Sequence, residues 1–286
     1  MSTITSPVFV SPVSTTTSPL FVSTVKPEHR PGIAGVARSE WTKIRSLRST
    51  FWTFVVTAGL TIGLGSLFSL GFTSSPPPFP PGFNAAGFSF NGMLLAQLAI
   101  GVLGVLIITT EYSSGMIRTT FTSVPQRGLV LAIKAMVFGA VTFVISAATA
   151  FVTFFACQAI LSRGAVKHGV SLSSPHALRI VMGAALYLTL CALLGVALGA
   201  LLRSTAAAIT ALTGLLFILP LMMSFLPVSW HRDAIARWLP TNAGWQIFEK
   251  VTQPLYFSPW AGLAVFAGWV ALALVAGLVL LRRRDV

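Results

Sequence analysis

Residues Glu111 to Arg127 read EYSSGMIRTTFTSVPQR, and they lie between two apolar runs, Gly92–Thr110 and Leu129–Leu161. Stretches of about 20 apolar residues cross a bilayer as helices, because lipid offers the backbone no hydrogen-bond partner but itself. The two runs therefore read as membrane spans, and the polar stretch as the longest loop on the cytoplasmic side. It carries an acid at the end of one span, a glycine one turn on, then an arginine, a proline and a second arginine. A loop of that make-up can take a push from a soluble partner and pass it to the helices on either side.

Working outward, four more runs of the same kind appear: Phe51–Gly71, Leu178–Leu202, Thr205–Leu226 and Trp260–Leu281. Hydrophobic residues make up 55% of the chain and charged ones 9%, against about 25% charged in soluble domains. With a mean hydropathy of +0.84, the expected fold is an all-α polytopic membrane protein with six transmembrane helices.

A net charge of +13 in a soluble chain would point to nucleic acid. Here its distribution points elsewhere. With both termini inside, the inner segments hold Lys26, Arg30, Arg38, Lys43, Arg45, Arg48, Arg118, Arg127, Lys134, Arg203, Arg282, Arg283 and Arg284. The outer ones hold only Arg163, Lys167, Arg179, Arg232, Arg237 and Lys250. This is the asymmetry of the positive-inside rule, and with no folded basic domain it leaves no nucleic-acid partner.

The N-terminal residues 1–31 read as a disordered cytoplasmic tail. Met1 to Val25 is uncharged and nearly half Ser and Thr, so it cannot bury enough apolar surface to order itself. It lacks the basic start and apolar core of a signal peptide. Residues 32–50 read as an amphipathic interfacial helix. Ile33, Ala37, Trp41, Ile44, Leu47 and Phe51 gather on one side of a helical wheel, with Arg38, Thr42, Lys43 and Arg45 on the other and Glu40 at the flank. Such a helix lies in the inner headgroup region and engages membrane lipids, with Trp41 and Trp52 at headgroup level. Residues 51–286 form the six-span domain.

Within that domain, Gly59/Gly63 and Gly195/Gly199 repeat at the spacing that lets helices approach closely. The loop Phe72–Asn91, with five prolines and no charge, reads as a semi-extended outer cap. At ~1.5 Å per residue the third run exceeds the ~30 Å hydrocarbon core, so it must tilt or project. Lys134 near its start is expected to snorkel to the inner headgroups. The one-sided series Thr142, Ser146, Thr149 and Thr153 fits either interhelical hydrogen bonding or a substrate path. Arg203 and Ser204 alone join the fourth and fifth spans, with Arg203 as a topological anchor. Pro227–Pro259 is a Trp-rich outer insert in which Pro240 divides two short helices, Arg232–Leu239 and Asn242–Lys250, the second with Asn242 as N-cap. Cys157 and Cys191 both fall within spans and read as small core residues.

Catalytic chemistry has little to stand on. The chain has no Gly-Lys dipeptide and so no phosphate-binding loop of the Walker type. Its four histidines are scattered without metal-ligand spacing. No carboxylate falls in the middle of a span, where proton- or ion-coupled carriers place one. The chain reads as a non-enzyme that binds no cofactor or metal, and its energy must come from another polypeptide.

The order of these parts resembles the permease subunit of the type-2 ABC transporter family, the exporters with six spans per membrane domain. The resemblance runs from about Arg38 to Arg284. It rests on the S-E-W-T-K-I-R helix before the first span and on E-Y-x-x-G-x-x-R at the end of the second. The tight fourth–fifth hairpin and the two-helix outer insert complete it. The resemblance implies a dimer of permeases, this chain with a copy or homologue, paired with separate ATP-binding subunits that carry the ATP and Mg. It implies coupling to those subunits through Glu111, Tyr112, Gly115, Arg118, Pro125 and Arg127. The interfacial helix, with Arg38, Glu40, Trp41, Lys43 and Arg45, docks beside them. The expected function is export of an amphipathic or lipid-like substrate or drug across a bacterial plasma membrane by alternating access. Two other readings are a non-transporting scaffold or sensor subunit and an ion-coupled carrier.

Overall fold

The computed structural model describes residues 33–46, 48–74, 83–113, 127–163, 169–227, 232–250 and 255–283. Every regular element among them is helical. The first are α1 (Ile33–Ser46), α2 (Arg48–Ser74), α3 (Ala85–Phe88), α4 (Met93–Ser113), α5 (Arg127–Arg163) and α6 (Ala177–Leu202). The fifth apolar run is composite: α7 (Thr205–Thr213), a π-helical turn (Gly214–Ile218) and α8 (Leu219–Ser224). Then come α9 (Arg232–Ala236), α10 (Pro240–Trp245), a 3₁₀ turn (Gln246–Phe248) and α11 (Pro259–Arg283). Six helices are long and apolar enough to cross a membrane, and they coincide with the six runs read from the sequence. This is the architecture of a multi-pass membrane protein. The tail and the proline run of the first outer loop lie outside the described residues.

Burial ranks the spans. In the fourth, 72% of the apolar window is buried, against 17% in the fifth and 22% in the sixth. So α6 is the central helix and α7, α8 and α11 are peripheral, with large apolar side chains such as Leu221 and Leu272 turned outward. The most extensive interface is between α4 and α6, and glycine makes it possible. A Cβ on Gly104 would strike the Ala192 carbonyl, and one on Gly195 the carbonyl of Gly101. Backbones this close gain van der Waals contact that larger residues would forbid. The Gly195/Gly199 pair is thus a seam within the chain, whereas Gly59 and Gly63 meet nothing within 4 Å.

The first and third spans meet along a stripe of small and hydroxyl residues. Thr57, Thr61, Gly65 and Ser69 are buried on α2, and Thr142, Ser146, Thr149 and Thr153 on α5. The threonines do not bond across the helices as the sequence reading allowed. Thr149 and Thr153 donate to the carbonyls of Ile145 and Thr149, four residues back, at 2.9 and 2.8 Å. These two hydroxyls are satisfied inside their own helix, whereas the buried Thr142 hydroxyl has no hydrogen-bond partner among the described residues.

The outer loops depart from expectation in two places. Ala85–Phe88 is a helical turn, capped by the Asn84 side chain accepting from the Gly87 amide at 3.0 Å, so the outer cap is not extended throughout. In the insert, two short helices do flank the division at Pro240, but the second is Pro240–Trp245 with Leu239, not Asn242, as its N-cap. Pro240 opens that helix at the first position, where a missing N–H costs nothing. Asn242 lies inside the helix and donates from Nδ2 to the Ala236 carbonyl at 3.0 Å.

Proline also explains how the insert is fastened to the fifth span. Pro220 has no N–H, which removes the helical donor for the carbonyl of Leu216, four residues earlier. The buried Thr241 hydroxyl supplies the missing bond at 2.9 Å.

Candidate functional site

The site forms where α1 meets the C-terminus of α4 and the first turns of α5. The sequence of α1 gives it two different faces. Val36, Glu40 and Ile44, spaced four apart, are its buried residues and point into the protein. Ile33 and Trp41, assigned to the apolar face from the helical wheel, are 62% and 50% exposed. So are Phe51 and Trp52 on the following helix, at 64% and 63%. The side toward the protein therefore carries a carboxylate, and the apolar side is the one left outside.

That carboxylate is not alone. Lys134 Nζ donates to Glu40 Oε2 at 2.5 Å and to Glu111 Oε1 at 2.9 Å. Lys43 Nζ donates to Glu40 Oε1 at 2.8 Å and to the same Glu111 oxygen at 3.0 Å. Two acids and two bases close a neutral four-membered ring that ties three helices together. Glu40 and Lys134 are 2% and 3% exposed. At such burial an unpaired charge costs several kcal/mol, so each member is tolerable only because the others are there.

Helix dipoles sharpen the arrangement. Glu111 sits in the last turn of α4, where the partial negative charge of the helix end opposes a carboxylate. The two ammonium groups offset that repulsion. Lys43 is in the last turn of α1, where a cation is favoured. Burial opposes ionisation of Glu40, but the ammonium groups of Lys134 and Lys43 outweigh it and hold the carboxyl below its ordinary 4.5. Burial likewise disfavours the Lys43 ammonium, and Glu40 and Glu111 outweigh that, holding it above its ordinary 10.5.

Tyr112, next along α4, links the ring to the fourth–fifth hairpin. The Arg203 guanidinium lies over its ring, 5.5 Å from the centroid. Arg203 caps α6 in the left-handed region, with φ 54°, a conformation that L-residues other than Gly, Asn and Asp seldom adopt. It is more than an anchor of topology.

Of the residues assigned from the sequence, Glu40, Lys43, Glu111 and Tyr112 are thus brought together, while Arg38, Trp41 and Arg45 lie exposed on α1. Gly115, Arg118 and Pro125 fall outside the described residues, and Arg127 is seen only as the backbone that opens α5. One expectation is overturned. Lys134 does not snorkel to headgroups: it is 3% exposed, and its ammonium is held by Glu40 and by Glu111 in the last turn of α4.

No protein-family model matches the chain, and no curated protein matches it.

Proposed function

We propose that this chain is the membrane subunit of an ATP-driven exporter of the type-2 ABC kind. It pairs with a second permease and with separate ATP-binding subunits in a bacterial plasma membrane, with both termini cytoplasmic. The observation that carries the reading is the Glu40–Lys43–Glu111–Lys134 ring. It makes α1 and the adjoining ends of the second and third spans one mechanical unit, and these are the two spans that flank the polar loop 114–126. A partner pressing on that loop or on α1 displaces both spans together, because sliding either one strips a buried charge of its partners.

ATP and Mg belong to the partner in this reading, and the force reaches the central α6 through the α4 seam. Nucleotide-dependent closure of the partner then biases two conformations of the bundle, as alternating access requires. Amphipathic or lipid-like cargo fits a bundle whose spans, away from the ionic ring at one end, bury apolar side chains with hydroxyls and amides.

The test is affinity capture of the full chain from its native membrane. A stoichiometric subunit with a phosphate-binding loop, whose ATP hydrolysis responds to the captured chain, supports the reading. Capture without any ATPase, from membranes shown to hold the chain intact, moves the assignment to a scaffold or sensor subunit.

A further inference from the structure

At the end of the bundle opposite the ionic ring, an open cavity of about 560 Å³ lies between the last turns of the fifth span and the insert. Its volume is that of a small-molecule site. Leu94, Leu216, Phe217, Pro220 and Leu221 make its apolar lining. Its polar lining has one bias.

Four of its uncharged polar side chains have one donor committed elsewhere and keep an acceptor oxygen, although the two amides retain a second N–H and Trp245 an indole N–H. Ser224 Oγ donates to the Leu221 carbonyl at 2.6 Å, and Thr241 Oγ1 to the Leu216 carbonyl at 2.9 Å. Asn242 Nδ2 donates to the Ala236 carbonyl at 3.0 Å, and Gln246 Nε2 to the Asn242 carbonyl at 3.3 Å. Gln246 is 7% exposed, and its Oε1 is buried with no hydrogen-bond partner. A buried acceptor left unmade costs about 1–3 kcal/mol, and rotation of the amide toward the cavity would let a ligand's donor recover it. Glu249 lines this cavity and a smaller neighbouring one, and its carboxylate makes no ion pair among the described residues. Trp245 and Tyr256 add aromatic rings, whose faces attract cations.

Three bases lie nearby but outside the lining. Arg179 Nη2 donates to the backbone carbonyl of Glu249 at 2.6 Å. Arg237 is turned onto Trp238 and Phe257, and Lys250 is exposed.

We propose that this cavity binds the ammonium head and first apolar segment of a cationic amphiphile, with Gln246 Oε1 and Glu249 accepting from its N–H groups. A free alkylamine and an aminophospholipid headgroup present the same chemistry. Describing the ligand as cargo rests on the exporter reading; the binding does not.

The test uses the full chain in phosphatidylcholine nanodiscs, whose quaternary headgroups carry no N–H, with tritiated dodecylammonium as probe and no ATPase present. Saturable binding is expected, with dodecanoate failing to compete and dodecyltrimethylammonium competing weakly. Gln246→Leu and Glu249→Gln each weaken binding about tenfold, the loss of one charge-assisted hydrogen bond. Leu221→Trp, a change at an exposed wall residue that narrows the cavity without touching the core, weakens binding. It serves as the second arm should a Gln246 variant not fold. Adding phosphatidylethanolamine assigns the source: displacement of the probe names the lipid headgroup, and no displacement names a free amphiphile. Equal competition by dodecanoate, or probe binding indifferent to all three substitutions in folded protein, overturns the site and leaves the exporter reading standing. Intact binding with no ATP-dependent release from the assembled transporter sinks the exporter reading and leaves the site.

Discussion

Lys134 and Glu40 stand 94 positions apart in the chain, yet Lys134 Nζ is 2.5 Å from Glu40 Oε2, with both residues buried. This contact carries most of what distinguishes α1 from a helix merely floating at the membrane surface. Removing one partner of a buried pair strands the other.

Lys134→Met keeps the length of the side chain and deletes the charge, leaving two carboxylates to share Lys43. The expected cost is about 3 kcal/mol, from the stranded charge rather than from lost packing. Glu40→Gln added to it restores part of that loss, because the ring again has one acid and one base. Denaturant titration in detergent, run as a double-mutant cycle, checks the sign. Additive losses would mean that the two residues do not interact.

The ring also sets a pH window. Glu40 is held below its ordinary 4.5, so its contribution is present above 4.5 and is lost as pH falls through the lowered value. Lys43 is held above its ordinary 10.5, so its contribution is present below 10.5 and is lost as pH rises through the raised value. A nitroxide at Ser46, exposed at the end of α1, is expected to stay immobile between those limits and loosen on both sides. Loosening at neutral pH would contradict the assignment.

Much of this is legible in the sequence. The six spans follow from run length alone, and Glu111 declared itself as an acid at a span's end. What the sequence could not give is which way α1 turns. The wheel groups Ile33, Trp41, Ile44 and Phe51 on one apolar side, but periodicity measures contrast, not direction: Ile33, Trp41 and Phe51 lie exposed, as a lipid-facing side would, while Ile44 turns in beside Glu40. A helix between protein and membrane has two apolar environments to choose from, and the carboxylate of Glu40 goes where its cations are. Lys134 escaped notice for a related reason. A lysine near a span's end has a local way out by snorkelling, and only the tertiary arrangement reveals that it does not take it. The role of Arg203 was likewise hidden, since its partner Tyr112 is 91 positions away in the sequence.

Glycine positions separate the closest seam from the open face. Gly104→Leu forces the α4 and α6 backbones apart and is expected to abolish the folded state, or to cost more than about 4 kcal/mol. Gly59→Leu, with open space around it, changes stability by less than about 0.5 kcal/mol in the isolated chain. Gel filtration and thermal unfolding of the two variants side by side make the comparison.

Thr241→Val tests the fastening of the insert. The change keeps the shape and removes the Thr241 donor from the Leu216 carbonyl, at a cost of about 1–3 kcal/mol. Adding Pro220→Ala gives that carbonyl back a helical N–H and recovers part of the loss. Recovery absent from the double variant would show that the bond contributes nothing.

The most direct measurement is ATP hydrolysis by the assembled complex, reconstituted with the captured ATP-binding subunit. Wild-type chain is compared with a Glu111→Gln/Lys134→Met variant that still folds and still binds that subunit. If the charge ring transmits force, hydrolysis continues but loses its response to transported cargo, and transport stops. Transport and cargo-stimulated hydrolysis at wild-type rates in that variant would contradict the account.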